Sequence, residues 1–243
     1  MTYTDRQELK YLIDYQKYIK IIKFIKPIVE KDKFGDKESK YIVNSLYYDT
    51  SSNKFYWEKI DGEKKRRKIR IRSYINKKTL KTDKTIIEIK KKNDRNVYKE
   101  KVSLNFEEAI RFIESPVSIS TVNRKFSKED LKVIDNISYL NHKFDLKPKI
   151  MVCYERQAFV DKYYPHMRIT FDFNIRCRKN DFNTKNTEMN QLVIQPNNII
   201  MEIKHNKALP LWTSRMIKKF DLEYTTISKY CEAMNKLVIK TGI

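Results

Sequence analysis

Residues 68–74, "KIRIRSY", alternate without a break: Lys68, Arg70 and Arg72 fall on one side, Ile69 and Ile71 on the other. Side chains with a period of two belong to a strand, here with one apolar and one strongly cationic face. An ordinary half-exposed strand mixes Thr, Ser, Glu and Lys on its wet side. This one gives that side almost entirely to guanidinium and ammonium groups. The reason for that choice decides both fold and function.

The same reading applied along the chain repeats the pattern. In "IIEIKKK", Glu88, Lys90 and Lys92 share a face opposite Ile87 and Ile89. In "VYKEKVSL", Lys99 and Lys101 share one. In "MRITFDFNIR", Arg168, Thr170, Asp172, Asn174 and Arg176 oppose Ile169, Phe171, Phe173 and Ile175. In "IIMEIKH", Glu202 and Lys204 oppose Met201 and Ile203, and Arg156 stands in an otherwise mostly apolar strand. A solvated outer face explains any one of these strands. Five or six in series are better explained by an inverted arrangement. Apolar faces then point outward under helices, and the charged faces line a water-filled tunnel. Converging like charges repel, so a polyanion is the expected occupant.

The coarse element reading fits. Strands are expected at 5–12, 41–50, 54–60, 66–75, 84–92, 97–104, 149–160, 167–177 and 198–205. An Asp14-capped helix is expected at 14–30, and helices also at 105–115 behind Asn105 and at 127–141 behind a Ser127/Asp130 capping box. The tail from Leu209 to Val238 reads as helical, with a break near 221–226. Short hairpins outnumber helical crossovers. The expected class is α+β: a closed antiparallel β-barrel, or tunnel, with a charged interior and helices packed outside.

Composition bounds the rest. The 243 residues are 40% hydrophobic, enough for a real core. Gly is scarce and no linker or repeat is visible, so one domain over 1–243 is expected. The chain carries 52 Lys+Arg against 31 Asp+Glu, a net +21, which concentrates polyanions. Cys153, Cys177 and Cys231 form no disulfide framework, which suits a reducing compartment. The N-terminal stretch lacks the apolar region of a signal peptide, and no run approaches a transmembrane helix. Cytoplasmic location is expected, with peripheral membrane contact through basic surface left open.

Nine short motifs in order carry a resemblance: "RQELKY" (6–11), "LYYDT" (46–50), "KIRIRSY" (68–74), "IEIKKK" (87–92), "YKEK" (98–101), "YERQAF" (154–159), "RITFD" (168–172), "MEIK" (201–204) and "SKY" (228–230). The chain resembles the catalytic VTC domain of polyphosphate polymerases, a branch of the CYTH or triphosphate tunnel metalloenzyme superfamily. The resemblance implies a tunnel that binds a nucleoside triphosphate and a divalent metal, and moves the γ-phosphate onto a growing polyphosphate chain. Carried over by position, Lys10, Arg70, Arg72, Lys90, Lys99, Arg156, Arg168 and Lys229 would hold phosphates, and Glu202 would ligate metal. Among them, Arg70, Arg72, Lys90, Arg156 and Arg168 are assigned to the transferring group.

The face reading adds Arg66, Lys68, Lys101 and Lys204 as phosphate-binding positions, with Glu88 and Glu8 as helpers to the metal or partners of a neighbouring Lys. The expected cofactor is Mn2+ or Mg2+. Expected partners are a nucleoside triphosphate, ATP first, then polyphosphate, and a separate membrane partner is left open. No specific nucleic acid is expected, since Ile rather than aromatics separates the cations. Tyr47, Tyr48, Tyr74, Tyr154 and Tyr230 suit either base stacking or core.

Phosphoryl transfer asks the protein for alignment and neutralising charge rather than covalent chemistry, and Arg and Lys supply both. Hydrolytic relatives carry E-x-E-x-K on the first strand. Here Arg6 replaces the first acid of Arg6-Gln7-Glu8-Leu9-Lys10, which favours a transferase over a water-activating enzyme. Two other readings stand beside it: a triphosphatase or other phosphohydrolase on the same tunnel, and a non-catalytic binder of polyphosphate or nucleic acid. No Walker-type phosphate loop exists, and His142, His166 and His205 are too scattered for zinc.

Overall fold

A computed structural model describes residues 7–32, 35–94, 96–114, 125–183, 191–206 and 208–239; Arg6 therefore lies outside the described residues. The strands are β1 (Gln7–Asp14), β2 (Val29–Lys31), β3 (Lys40–Asp49), β4 (Lys65–Ile75), β5 (Thr82–Asn93), β6 (Asn96–Leu104), β7 (Lys147–Asp161), β8 (Arg168–Arg178), β9 (Gln191–Leu192) and β10 (Asn198–His205). The helices are α1 (Tyr15–Ile25), α2 (Lys54–Ile60), α3 (Phe106–Glu114), α4 (Lys128–Phe144), α5 (Leu211–Lys219) and α6 (Lys229–Met234), the last continued by a π-helical turn at Asn235–Ile239.

All ten strands join one antiparallel sheet in the order β1-β10-β8-β7-β3-β4-β5-β6, with β2 added to β7 and β9 to β8. The sheet is open, which corrects the closed barrel expected from the sequence. Among the described residues, the end strands β1 and β6 do not pair with each other. It is nevertheless strongly curled. In a flat sheet β1 and β5 would stand roughly 29 Å apart, at about 4.8 Å per step. Yet Lys90 Nζ on β5 lies 3.2 Å from Glu8 Oε2 on β1. The two ends meet through side chains, and the charged faces look into the resulting groove.

The helices settle where the alternation leaves apolar surface. Ile69, Ile71, Ile87, Ile89, Val102 and Leu104 form a buried cluster with Phe112 and Ile113 of α3 and Ile134, Ile137 and Leu140 of α4. Ile169, Phe171, Met201 and Ile203 do the same with Tyr18, Ile21 and Ile25 of α1 and Met216 of α5. Burying each such side chain contributes about 1.5–3 kcal/mol, so these two layers fix which face of every strand is outside. Asp14 caps α1 by accepting from Lys17 N, and the Ser127/Asp130 capping box opens α4.

Not every helix lies outside. α6 packs on the inner face, where Tyr230, Ala233 and Met234 join Tyr47, Ile150, Val152, Ile175 and Ile200. The groove is thus half charged and half apolar, with α6 filling the apolar part.

Other expectations shift for identifiable reasons. Residues 54–60, rich in aromatics, read as a strand but form α2. The buried Asp49 carboxylate accepts from the backbone N–H groups of Thr50, Phe55 and Tyr56 and so closes the start of that helix. Helix α1 stops at Ile25, ahead of Pro27, and 29–31 pair with β7 instead. Asn174 adopts a left-handed conformation (φ 50°), and the β7–β8 register breaks between Cys153 and Glu155. Beyond that irregularity Ile175 and Cys177 turn inward, and exposed Arg176 leaves the face it was expected to share with Arg168.

Asp49 also accepts a 2.5 Å hydrogen bond from the Tyr230 hydroxyl, tying α6 to the end of β3. Asp49→Ala orphans these buried donors and is expected to cost about 2–4 kcal/mol. Urea unfolding measures this, and an unchanged midpoint would remove Asp49 as the organiser of α2 and α6.

Candidate functional site

Register places the charged side chains side by side. Lys10 is opposite Glu202, Glu8 opposite Lys204, Arg156 opposite Asp172, Arg70 opposite both Tyr47 and Glu88, and Lys68 opposite Lys90, itself opposite Lys99. The centre is a buried network. Arg156 grips Asp172 in a two-pronged pair, at 2.6 Å from Nε to Oδ1 and 2.7 Å from NH2 to Oδ2. Lys229, at the start of α6, lies 2.5 Å from Asp172 Oδ2 and 2.9 Å from Glu202 Oε1. Lys204 donates to Glu202 Oε2 at 2.8 Å, and Arg156 NH2 reaches the same oxygen at 3.4 Å. Asp172 is 0% and Glu202 4% exposed, so neither charge could persist there without these partners.

Around this centre the carboxylates are each held by bases. Glu88 accepts from Arg70 at 2.7 Å; Glu8 lies 3.2 Å from Lys90 and 3.6 Å from Lys10. Glu8 thus pairs with Lys90, the neighbouring-Lys alternative, whereas Glu88 pairs with Arg70 rather than with a Lys. Burial favours the neutral acid at Glu202, but Lys204, Lys229, Lys10 and Arg156 outweigh it and hold the group well below the usual carboxylate range. At Asp172, burial is likewise overcome by Arg156 and Lys229. Glu8 and Glu88 are held low in the same way, by Lys204 with Lys90 and by Arg70 with Arg72.

The bases outnumber what the acids can absorb. Among the described residues, Lys68, Arg72, Lys99 and Lys101 form no ion pair with a carboxylate. Arg72 makes only a long contact from Nε to Ser45 Oγ (3.4 Å) and bonds to Tyr74. Lys68 donates to Ser228 Oγ at 2.6 Å above the Tyr230 ring. Burial draws its ammonium down to about 7; Cys231 opposes this, and Lys10, Lys90 and Arg70 add to it. Lys99 is drawn in the same direction, but its exposed end is screened by water. Arg70 donates to the Tyr47 hydroxyl at 2.9 Å, and the Tyr47 ring stacks on Tyr230.

Of the residues named from the sequence, Lys10, Lys68, Arg70, Arg72, Lys90, Lys99, Arg156, Lys204, Lys229, Glu8, Glu88 and Glu202 converge on the groove. Arg168 sits at its rim, 2.5 Å from Asp32 and bonded to Tyr41. Lys101 is exposed on edge strand β6, and Arg66 lies beyond Lys68 toward the strand end, so neither joins the network. Asp172 shares the Arg168 face in "RITFD", but nothing in that spacing says it anchors Arg156 and Lys229. The contribution of α6 is a tertiary feature with no local signal beyond "SKY".

The family model described as VTC domain matches residues 5–238. The chain belongs to the VTC domain family. Its fold is similar to that of a protein provisionally described as an adenylate cyclase (bh2851) from Bacillus halodurans. That match has a TM-score of 0.56 and 11% identity, over 97% of both chains. The PH1819 protein of Pyrococcus horikoshii OT3 overlaps at a TM-score of 0.47 with 12% identity, over 97% of this chain and 99% of that one. No curated protein matches. No helix among the described residues is long and apolar enough to cross a membrane.

Removing one partner of the central pair leaves a buried charge uncompensated. Asp172→Ala is therefore expected to lose about 3–5 kcal/mol of stability. Both Asp172 and Glu202 have folded pKa values below their unfolded ones, so their contribution is present at neutral pH and lost as pH falls below roughly 4. The acid limb of a stability–pH curve should be shallower in Asp172→Ala than in wild type. An identical limb would contradict the pairing.

Proposed function

We propose that the VTC-family groove is a phosphotransferase site of the polyphosphate polymerase kind, moving the γ-phosphate of a nucleoside triphosphate, ATP first, onto a polyphosphate chain. The observation that carries this reading is the surplus of inward cations without carboxylate partners, Lys68, Arg72 and Lys99, beside a network that is already neutralised. Such a face binds an anion with many oxygens at little reorganisation cost, because its guanidinium groups are already aimed and held.

In the proposed reaction a terminal oxygen of the acceptor chain forms a bond to the γ-phosphorus. The bond from that phosphorus to the bridging oxygen breaks, and the nucleoside diphosphate leaves with the electron pair. Arg70 and Arg72 hold the phosphate oxygens of the transferring group, with Lys90 and Lys99 balancing charge on either side. Arg156 is occupied by Asp172 and acts by positioning Glu202 and Lys229. Arg168, at the rim, meets the incoming phosphate tail. None of these groups needs to exchange a proton with the reacting atoms.

A divalent ion is part of the proposal. Among the described residues no group of three His, Cys, Asp or Glu side chains gathers as a metal cage. Glu202 and Glu8 are nevertheless neighbouring carboxylates kept ionised by the bases around them. Two hard oxygen donors of that kind suit Mg2+ or Mn2+ arriving with phosphate oxygens and water. Bound there, the ion would neutralise charge shared between adjacent phosphates. Cytoplasmic work and a separate membrane partner are consistent with this reading.

The test is incubation of the purified chain with ATP and Mn2+, with and without a short polyphosphate primer, resolving products on a gel and measuring free phosphate. Polyphosphate ladders with ADP are expected. Free phosphate without ladders would replace the reading with a hydrolase, and binding without turnover with a non-catalytic binder. Arg72→Ala should reduce turnover at least 100-fold with an unchanged melting temperature, whereas loss of stability alone would show that Arg72 is structural. Glu202→Gln should raise the Mn2+ concentration needed for half-maximal rate. An unchanged titration would remove it as a ligand.

A second expectation follows from Lys68, whose ammonium sits at about 7. Its folded value is below its unfolded one, so above pH 7 the free groove holds a neutral amine, and an arriving phosphate draws a proton onto it. Calorimetry with tripolyphosphate at pH 8, in buffers of different ionisation enthalpy, should show proton uptake. The uptake should vanish at pH 6 and fall in Lys68→Met, with Lys99, drawn down in the same way, supplying the remainder; undiminished uptake in that variant would assign it elsewhere.

A further inference from the structure

A second cationic feature lies outside the network. Where β4 begins and β5 ends, Lys65, Arg66, Arg67, Lys91 and Lys92 line a cavity of about 450 Å³ with Tyr98 of β6. Asn93 completes the lining, and no carboxylate enters it among the described residues. Two of the five bases are spoken for: Arg67 lies 3.3 Å from Glu58 and packs over Phe55 and Phe144, and Lys91 lies 2.8 Å from Glu100. Lys65, Arg66 and Lys92 form no ion pair among the described residues. Burial, then Arg66, Lys59 and Lys90, draws the Lys92 ammonium below its ordinary value, against a weak opposing pull from Asp94. Glu58 and Glu100 balance Arg67 and Lys91, and no ion pair balances the other three bases among the described residues.

The strand period links this cavity to the groove. Arg66 follows Lys68 on the groove face, as Lys92 follows Lys90, each about 7 Å further along its strand. Lys65, Arg67 and Lys91 alternate to the opposite face. The cavity therefore wraps the strand ends, with some bases continuing the groove and others turning outside it.

We infer that this cavity is a second binding site for a linear oligophosphate, formed by Lys65, Arg66 and Lys92 with Tyr98 as its apolar wall, distinct from the proposed reaction site. The choice of ligand rests on the reading of the groove as a phosphate site, because the two are joined along β4 and β5. Its ligand is either a free oligophosphate or the far part of a chain threaded through the groove. A chain long enough to occupy both gains by effective concentration, whereas a short one fills each independently.

The test is lysine-acetylation footprinting read by mass spectrometry on the full chain, with tripolyphosphate as the short probe and a chain of about 60 phosphates as the long one. Tripolyphosphate should slow acetylation of Lys65 and Lys92 at least five-fold in wild type and equally in Arg72→Ala, in which the groove is weakened. Protection that is lost in Arg72→Ala for tripolyphosphate would show one site rather than two. Absence of protection at Lys65 and Lys92 with either probe, while Lys90 and Lys99 are protected, would overturn the inference and leave the groove reading standing. The reverse pattern would support the cavity and count against the groove. Lys65→Glu, on the opposite face from the groove and checked for an unchanged melting temperature, should bind the long chain at least five-fold more weakly with tripolyphosphate affinity in the groove preserved. Protection by single-stranded RNA and not by tripolyphosphate would overturn the assignment of ligand.

Discussion

The structure depends on four ionised groups that would each be intolerable alone in their setting. Asp172 and Glu202 are buried on β8 and β10, and Arg156 from β7 and Lys229 from α6 satisfy them. Taking a carboxylate out of water costs several kcal/mol, so each of these partners is required by the others. The network joins three adjacent strands to the helix that fills the groove, and it orients Lys204 and Lys10 around Glu202. It also explains why α6 packs on the inner face, where Tyr56 of α2 joins it. The first residue of α6 completes a charge pair that the strands leave unfinished, and Tyr230 behind it anchors to Asp49 and Tyr47.

Much of this was legible in the sequence because strand alternation is a rule of geometry. Period two puts Arg70, Arg72, Glu88, Lys90 and Glu202 opposite their apolar neighbours, and the repetition of that pattern over five or six strands turns those faces inward. The outward placement of Ile69, Ile71, Ile87 and Ile89 follows from the same rule and is realised in the core under α3 and α4. Where alternation breaks, the reading breaks with it. Asn174 in a left-handed conformation reverses the face of everything after it on β8, and no residue nearby announces that. The helix at 54–60 was read as a strand because aromatics favour strands, while the capping carboxylate that overrides them comes from β3. Short hairpins, inward charged faces and outer helices imply closure, but curling, with the Lys90–Glu8 ion pair between β5 and β1, brings the ends together in an open sheet.

The division of labour among the cations was not visible in sequence. Arg70, Arg156, Lys204 and Lys229 all stand as phosphate contacts in the sequence reading, two on alternating strands, one in a mostly apolar strand and one in the helical tail. In the fold, Arg156 and Lys229 are committed to buried acids, Arg70 is shared between Glu88 and Tyr47, and Arg72, Lys68 and Lys99 have no acid at ion-pair distance among the described residues. The committed bases preserve the shape of the site. The uncommitted ones supply the field that a phosphate chain would meet, and a groove with cations left over is the physical content of the functional reading.

That reading is tested most directly by a crystal structure of the chain grown with tripolyphosphate and Mn2+. The account predicts phosphate density on the inner face within hydrogen-bond distance of Arg70 and Arg72, with the Arg156–Asp172 pair intact behind it. Phosphate confined to the outer surface, with the inner face unchanged, would contradict it.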